Sequence, residues 1–319
     1  MEIISEKKVW DKVIHGFSKW DVAHEWGYFK AFSLREKESD PILFFYQSPS
    51  GKVAYPFFQT KPMEIEGLAT GSKLYSVYGY TGPLIDGQDP MIVWQEFCQE
   101  FRLYCQENKI VSIEERFHPI LNNARKLFSS SELFVKRPVV LIKTDTEDNL
   151  LKNYRRKNIR KGIRVAKEHG VVITHHGREG LTEFTALYNS TMERNNAEQI
   201  YYFNDAFFES LFRELGARCT IFHAKIDNKV VASTLALHSP FCVFLFLGAM
   251  DMEHKHDFGG YLLEHELLVY YHSLGIPYVN DGGGRTSELD DSLLRYKQGF
   301  TKDVPAPYYQ GKTELFFYN

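Results

Sequence analysis

The sequence predicts an α/β protein with mixed sheets, arranged as two tandem domains. Three observations carry this. The order hairpin, strand, glycine turn, helix, strand, helix, strand occurs twice along the chain, without obvious residue identity. At 319 residues the chain exceeds one ordinary domain and suits two. Residues 241–247 form an unbroken apolar run, as expected of a strand buried on both faces, and a glycine turn, a helix and another strand follow at once. The repeat puts the boundary at 143/144. Residues 1–143 are the N-terminal domain, and 144–319 the C-terminal domain.

In the first copy, residues 5–34 predict one or two helices with Trp10, Trp20, Trp26 and Phe29 on the buried side. A hairpin joins 42–46 to 53–58 through Pro49, Ser50 and Gly51. A strand at 74–78 runs into Gly79 and Gly82. Asp89 followed by Pro90 opens a helix, an N-cap acid before a proline at the first helical position. Trp94, Phe97, Cys98, Phe101 and Cys105 keep helical spacing on its buried side. A strand at 110–113, a short helix after Pro119 and a strand at 133–142 complete the copy.

Between the copies the pattern predicts helices at 146–168, 181–194 and 204–215. The second copy then has a hairpin of 219–226 with 230–237, the strand at 241, a helix from 258, and a strand at 276–279. A short helix at 288–300 and a closing strand at 313–318 end it. Ser287 and Asp290 have capping-box spacing for that short helix.

The totals bound the function. The chain is 44% hydrophobic and 25% charged, which suits packed cores and not disorder. A net charge of −3 supplies no global basic field, so DNA is not an expected partner. The four cysteines lack CxxC spacing and read as reduced core thiols. No apolar secretion segment opens the chain and no run reaches membrane-spanning length. The expectation is a soluble, cytoplasmic protein with no membrane span.

Four stretches bear on chemistry. The segment 152–167 carries Arg155, Arg156, Lys157, Arg160, Lys161 and Arg164 with almost no interleaved acids. It is either a solvated face or a site for a phosphate-bearing ligand. Gly259 and Gly260 at a helix start, with Lys255 upstream, are either a tight turn or an anion site where free N–H groups and the helix dipole act together. The run Asn280, Asp281, Gly282, Gly283, Gly284 and Arg285 ends a strand, where glycines let backbone approach a ligand. Lys297 lies at the edge of the apolar face made by Leu289, Leu293, Tyr296 and Phe300. There it either snorkels to water or sits in a partly dry site that demands a polar partner. His254 and His256 have no third ligand at metal-binding spacing, so no metal is expected.

Together these residues resemble the FemAB-like family of peptidoglycan-bridge aminoacyltransferases, built from two GNAT-like acyltransferase domains. The resemblance spans nearly the whole chain. Its carriers are residues 78–83 (with Gly79, Tyr80 and Gly82), Arg116 to Pro119 (with His118), the cationic helix at 155–167, the strand and glycines at 278–284, and residues 296–300 around Lys297. Two departures are visible. Phe258 stands where the acetyltransferase pyrophosphate loop has its first glycine, and the long helical-hairpin arm of some members has no counterpart in 181–215.

The resemblance implies transfer of an acyl or aminoacyl group, from acyl-CoA or aminoacyl-tRNA, to an amine of a nucleotide-linked or lipid-linked cell-wall or surface-glycan precursor. No permanently bound cofactor is implied. Lys297 matches the family's lysine near the reacting groups and is expected to stabilise an oxyanion, with Asp281 as proton acceptor. Lys255, Gly259, Gly260, Gly282 and Gly283 fall to donor binding. Arg155, Arg156, Arg160, Tyr80, Arg116, His118 and Arg285 fall to acceptor binding. The competing reading is a non-catalytic module that binds a nucleotide sugar or glycan precursor on the same duplicated fold.

Overall fold

In the computed structural model, which describes residues 1–65 and 68–315, each of two units contains a hairpin that the local sequence signals. In chain order the first elements are β1 (Glu2–Ile4), α1 (Lys7–His15), α2 (Trp26–Phe32), β2 (Ser39–Ser48), β3 (Gly51–Thr60), β4 (Met63–Ile65), β5 (Leu68–Tyr75), β6 (Leu84–Gly87), α3 (Pro90–Glu107) and β7 (Ile110–Arg116). Next come β8 (Glu132–Lys143), α4 (Glu147–Asn153), α5 (Lys157–Glu168), β9 (Val172–His176), α6 (Leu181–Arg194) and α7 (Asp205–Leu215). The last are β10 (Cys219–Ile226), β11 (Lys229–His238), β12 (Cys242–Met250), α8 (Gly259–Ser273), β13 (Tyr278–Gly283), α9 (Ser292–Lys297) and β14 (Ala306–Glu314). The chain divides into two units, Met1–Lys136 with Pro307–Asn319, and Arg137–Ala306.

In the first unit β1, β2, β3 and β5 pair antiparallel in that order, and β5 pairs parallel with β7. Helix α3 makes the crossover that a parallel pair requires. Its N-cap is the expected one: the Asp89 carboxylate accepts from the N–H groups of Met91 and Ile92, and Pro90 needs no donor. Phe97 and Phe101 pack on Phe44, Tyr55 and Phe57 of the β2–β3 hairpin, with Phe44 and Phe101 edge to face at 4.9 Å.

The second unit repeats this order. Strands β9, β10, β11 and β12 pair antiparallel, β12 pairs parallel with β13, and α8 makes the crossover. Asp227 and Asn228 take φ of 47° and 64°, the two left-handed residues that a tight β10–β11 hairpin requires. Helix α8 lays Leu262, Leu263, Leu267, Leu268 and Tyr271 into the core.

The closing strands depart from the expected boundary. β14, from the end of the chain, pairs with β7 (Gln310 opposite Arg116), whereas β8 pairs with β13 (Val279 opposite Ile142). Each copy thus receives its last strand from outside the order that the sequence repeats. Side-chain alternation marks a strand but not its partner, and pairing a sheet edge is a long-range matter.

Other differences are local. The expected helix at 146–168 is broken into α4 and α5 at Tyr154, whose buried hydroxyl meets His265 Nδ1 at 2.8 Å. No helix follows Pro119; the chain turns there and enters β8. The closing strand ends at Glu314, and the part expected at 316–318 lies outside the described residues. Among the described residues, no helix is long and apolar enough to cross a membrane.

Candidate active site in the second unit

The parallel pairing of β12 and β13 stops at Phe244 opposite Asn280, while β12 runs on to Met250 and β13 to Gly283. A fork opens there. Both strands carry an extra residue near it: Phe246 in the pairing of β12 with β11, and Asp281 in that of β13 with β8. Such bulges re-aim side chains at the edge of regular pairing. Gly282, at φ 73°, completes the bulge, and its N–H donates to Asn280 Oδ1 at 3.0 Å. That amide is therefore engaged within the chain. Gly283 lies in the ladder opposite Val139, and a Cβ there would come within 2.8 Å of Arg137 Cδ, so close packing accounts for this glycine.

Helix α9 aims Lys297 at the bulge. Its cap is not the expected Ser287–Asp290 box. Asp291 accepts from the N–H groups of Leu293 and Leu294 at 2.9 Å, and from those of Arg285 and Thr286 at 3.1 Å. One carboxylate with four amide donors outcompetes a box that satisfies two. The helix accordingly starts at Ser292. Its last residue, Lys297, has a side chain only 15% exposed. The ammonium donates to the backbone carbonyl of Asp281 and stands 3.4 Å from Asp281 Oδ1. Of the two readings left open for Lys297, the geometry matches the inward, polar one.

Glu264 completes the cluster and was not singled out by the sequence pattern. It lies in α8 one turn beyond Gly260 and is buried, as is Asp281. Burial pushes the Glu264 carboxyl well above its ordinary value, the Asp281 charge pushes the same way, and Lys297 opposes both. Burial also raises Asp281, against the pull of Lys297. The Tyr296 hydroxyl donates to the Gly260 carbonyl at 3.1 Å and also faces Glu264. An acid inside the apolar run of α8 was the available signal, and nothing local told it from a solvent-facing glutamate.

At the start of α8, Phe258 adopts φ 53°. The left-handed turn of the glycine loop is thus kept by a phenylalanine, at a cost of about 1 kcal/mol. No side chain caps α8. Lys255 is exposed, and Gly259 is buried against Val231, which a Cβ would approach to 3.0 Å. Asp257 ties the loop to both His169 (2.8 Å) and His254 (2.9 Å).

The expected acceptor residues divide. Arg160 Nη1 donates to the carbonyls of Leu151 and Tyr154, both at 3.0 Å, and so caps the end of α4. Arg155 donates to the carbonyls of Lys302 and Asp303 at 2.9 and 3.0 Å. Arg156 lies half-buried beside Tyr261. Exposed Arg285 reaches Asn195 Oδ1 at 3.5 Å. The other three gather in the first unit. There His118 is fully buried, with Nε2 3.0 Å from Asp21 Oδ2 and Nδ1 accepting from the Leu121 N–H at 3.2 Å, so it braces the fold. Tyr80 packs edge-on to Tyr308, and Arg116 lies over the Tyr78 ring. The four cysteines form no disulfide, and burial pushes the Cys98 and Cys105 thiols up to about 12, far from a thiolate nucleophile.

Residues 153–298 match the family model of the acetyltransferase (GNAT) domain, which spans Glu264, Asp281 and Lys297. FemX superposes with a TM-score of 0.72 at 13% identity, covering 99% of this chain and 98% of FemX. The chain has the fold of FemX. A conserved protein of unknown function from Bacteroides thetaiotaomicron matches this chain with a TM-score of 0.58 at 13% identity, over 90% of each chain. L-PGS from Bacillus licheniformis matches at 0.56 and 13% identity, over 88% of this chain and 85% of its own. No curated protein matches the sequence.

Proposed function

We propose that the protein is an acyltransferase that passes an acyl or aminoacyl group from acyl-CoA or aminoacyl-tRNA to an amine of a nucleotide-linked or lipid-linked cell-wall or surface-glycan precursor. The observation that carries this reading is the half-dry ammonium of Lys297 beside the buried Asp281 carboxyl at the β12–β13 fork. The GNAT match supports the reaction class, and the likeness to FemX and L-PGS supports the fold.

In this reading the acceptor amine attacks the acyl carbonyl carbon and gives up a proton to Asp281. A C–N bond forms, and the carbonyl oxygen becomes an oxyanion that faces Lys297. Collapse breaks the C–S or C–O bond of the donor, and the leaving sulfur or oxygen takes a proton. The uncapped start of α8, with Lys255, Gly259 and Gly260, receives the donor's phosphates. Arg156 serves the acceptor. Arg155 and Arg160 act through the backbone that they hold.

The test is to incubate the full chain with acetyl-CoA or with a charged tRNA pool, each with a nucleotide-linked peptide precursor bearing a free amine. The acceptor mass should rise by one acyl or aminoacyl group with one of these donors. Saturable precursor binding with no transfer from either donor overturns the reading in favour of the non-catalytic module.

A further inference from the structure

The strand order of the second unit runs β13, β12, β11, β10, β9, so β9 is the edge farthest from the β13 bulge. His176 pairs with Ile221 and Thr174 with His223 across β9 and β10. Strand alternation therefore puts Thr174, His176, His223 and Lys225 on one face. Glu183, in the first turn of α6, reaches the same face, where Lys225 Nζ donates to its two oxygens at 2.9 and 3.1 Å.

The His223 side chain is fully buried and its tautomer is fixed. Ser233 has one hydroxyl proton, and it goes to the Phe222 carbonyl at 3.0 Å. The 2.8 Å contact between Ser233 Oγ and His223 Nδ1 is then donated by the ring. In the neutral imidazole this leaves Nε2 as a lone pair, and no donor meets it among the described residues. It faces Glu183 Oε2 at 3.7 Å. An acceptor facing an acceptor in a buried place is unfavourable, and a cation between them satisfies both. Bonds of about 2.0–2.1 Å from one ion to a nitrogen and an oxygen span such a gap.

His176 offers a third ligand. Its ring centroid is 5.2 Å from that of His223, and its Nε2 meets Thr174 Oγ1 at 2.9 Å, which leaves Nδ1 to bind. Each imidazole thus has its other nitrogen held by a hydroxyl, the outer support that orients a histidine ligand. Closing one coordination sphere takes a turn of the His176 and Glu183 side chains, which are 27% and 45% exposed. Lys225 opposes the ion, because its ammonium already holds the Glu183 carboxylate.

We propose that His176, His223 and Glu183 bind a divalent transition metal that ties the edge strand β9 and strand β10 to α6. Two imidazoles and one carboxylate favour zinc over magnesium or calcium, which prefer all-oxygen sites. The inference does not depend on the acyl-transfer reading.

The test uses the full chain, stripped with a chelator and titrated with Co²⁺ and then Zn²⁺. Co²⁺ should give the visible d–d absorption of a four-coordinate ion, Zn²⁺ should displace it at one equivalent, and Zn²⁺ should raise Tm. Glu183→Gln and His223→Ala should each weaken Zn²⁺ binding by about tenfold or more. Lys225→Met, which removes the competing ammonium, should tighten it by about tenfold. If His223→Ala does not fold, the opposite effects at the part-exposed positions 183 and 225 decide. No d–d absorption with Co²⁺ overturns the proposal, and so does Zn²⁺ affinity that is the same in Glu183→Gln as in wild type.

Discussion

Lys297 and Asp281 are sixteen residues apart, yet the ammonium of one donates to the backbone carbonyl of the other and lies 3.4 Å from its carboxylate. Two local events produce this. The bulge in β13 gives Asp281 a place outside regular pairing, and the Asp291 cap sets the start of α9 so that Lys297 is its last residue. The relationship makes Lys297 the most direct probe of the chemistry.

Lys297→Met keeps most of the stem's volume, so the fold should survive and turnover should not. If the ammonium acts on the oxyanion, kcat should fall by about 10²–10³ with a smaller change in KM. Lys297→Arg should recover little, because a planar fork does not replace a compact charge in the same space. A folded Lys297→Met protein with wild-type kcat refutes the assignment.

The cationic face of α5 separates into ties and a probe. Arg155→Glu removes two hydrogen bonds to the 302–303 backbone and should lower Tm as well as affinity. Arg156→Glu should weaken binding of a nucleotide-linked precursor with little change in Tm, and the difference should shrink as salt rises. Equal affinity of Arg156→Glu and wild type at low salt would mark the face as merely solvated.

Glu115 predicts a pH dependence of stability in the first unit. Its carboxyl is buried and accepts from the Tyr55 hydroxyl at 2.5 Å. Burial pushes it up to about 8 from 4.5, and the Tyr55 hydrogen bond opposes the shift only in part. The folded state thus binds this proton more tightly than the unfolded state. Its contribution is complete below about pH 4.5 and declines as pH rises to about 8, by roughly 1.4 kcal/mol per pH unit. Glu115→Gln should flatten urea-derived stability across that window. An unchanged slope would show that Glu115 ionises without cost.

Residue by residue, what was legible was local. Asp89 with Pro90 announces α3, Asp227 with Asn228 announces a hairpin, and the apolar run at 241–247 announces a strand buried on both faces; each depends on backbone preferences or side-chain period within a few residues. Spacing left Lys297 open between water and a partly dry site, and the packed chain turned it inward. Tertiary structure decided what spacing does not encode. It paired β8 with β13 and β14 with β7, across the expected boundary, since a strand's pattern is the same beside any partner. It turned Arg155 and Arg160 from ligand groups into backbone ties, because carbonyls left open at the end of α4 and near 302 lay within reach. It also made Glu264 part of the site. In sequence Glu264 is one acid among many; burial near Asp281 and Lys297 pushes its carboxyl well above its ordinary value, and burial is a property of the packed chain.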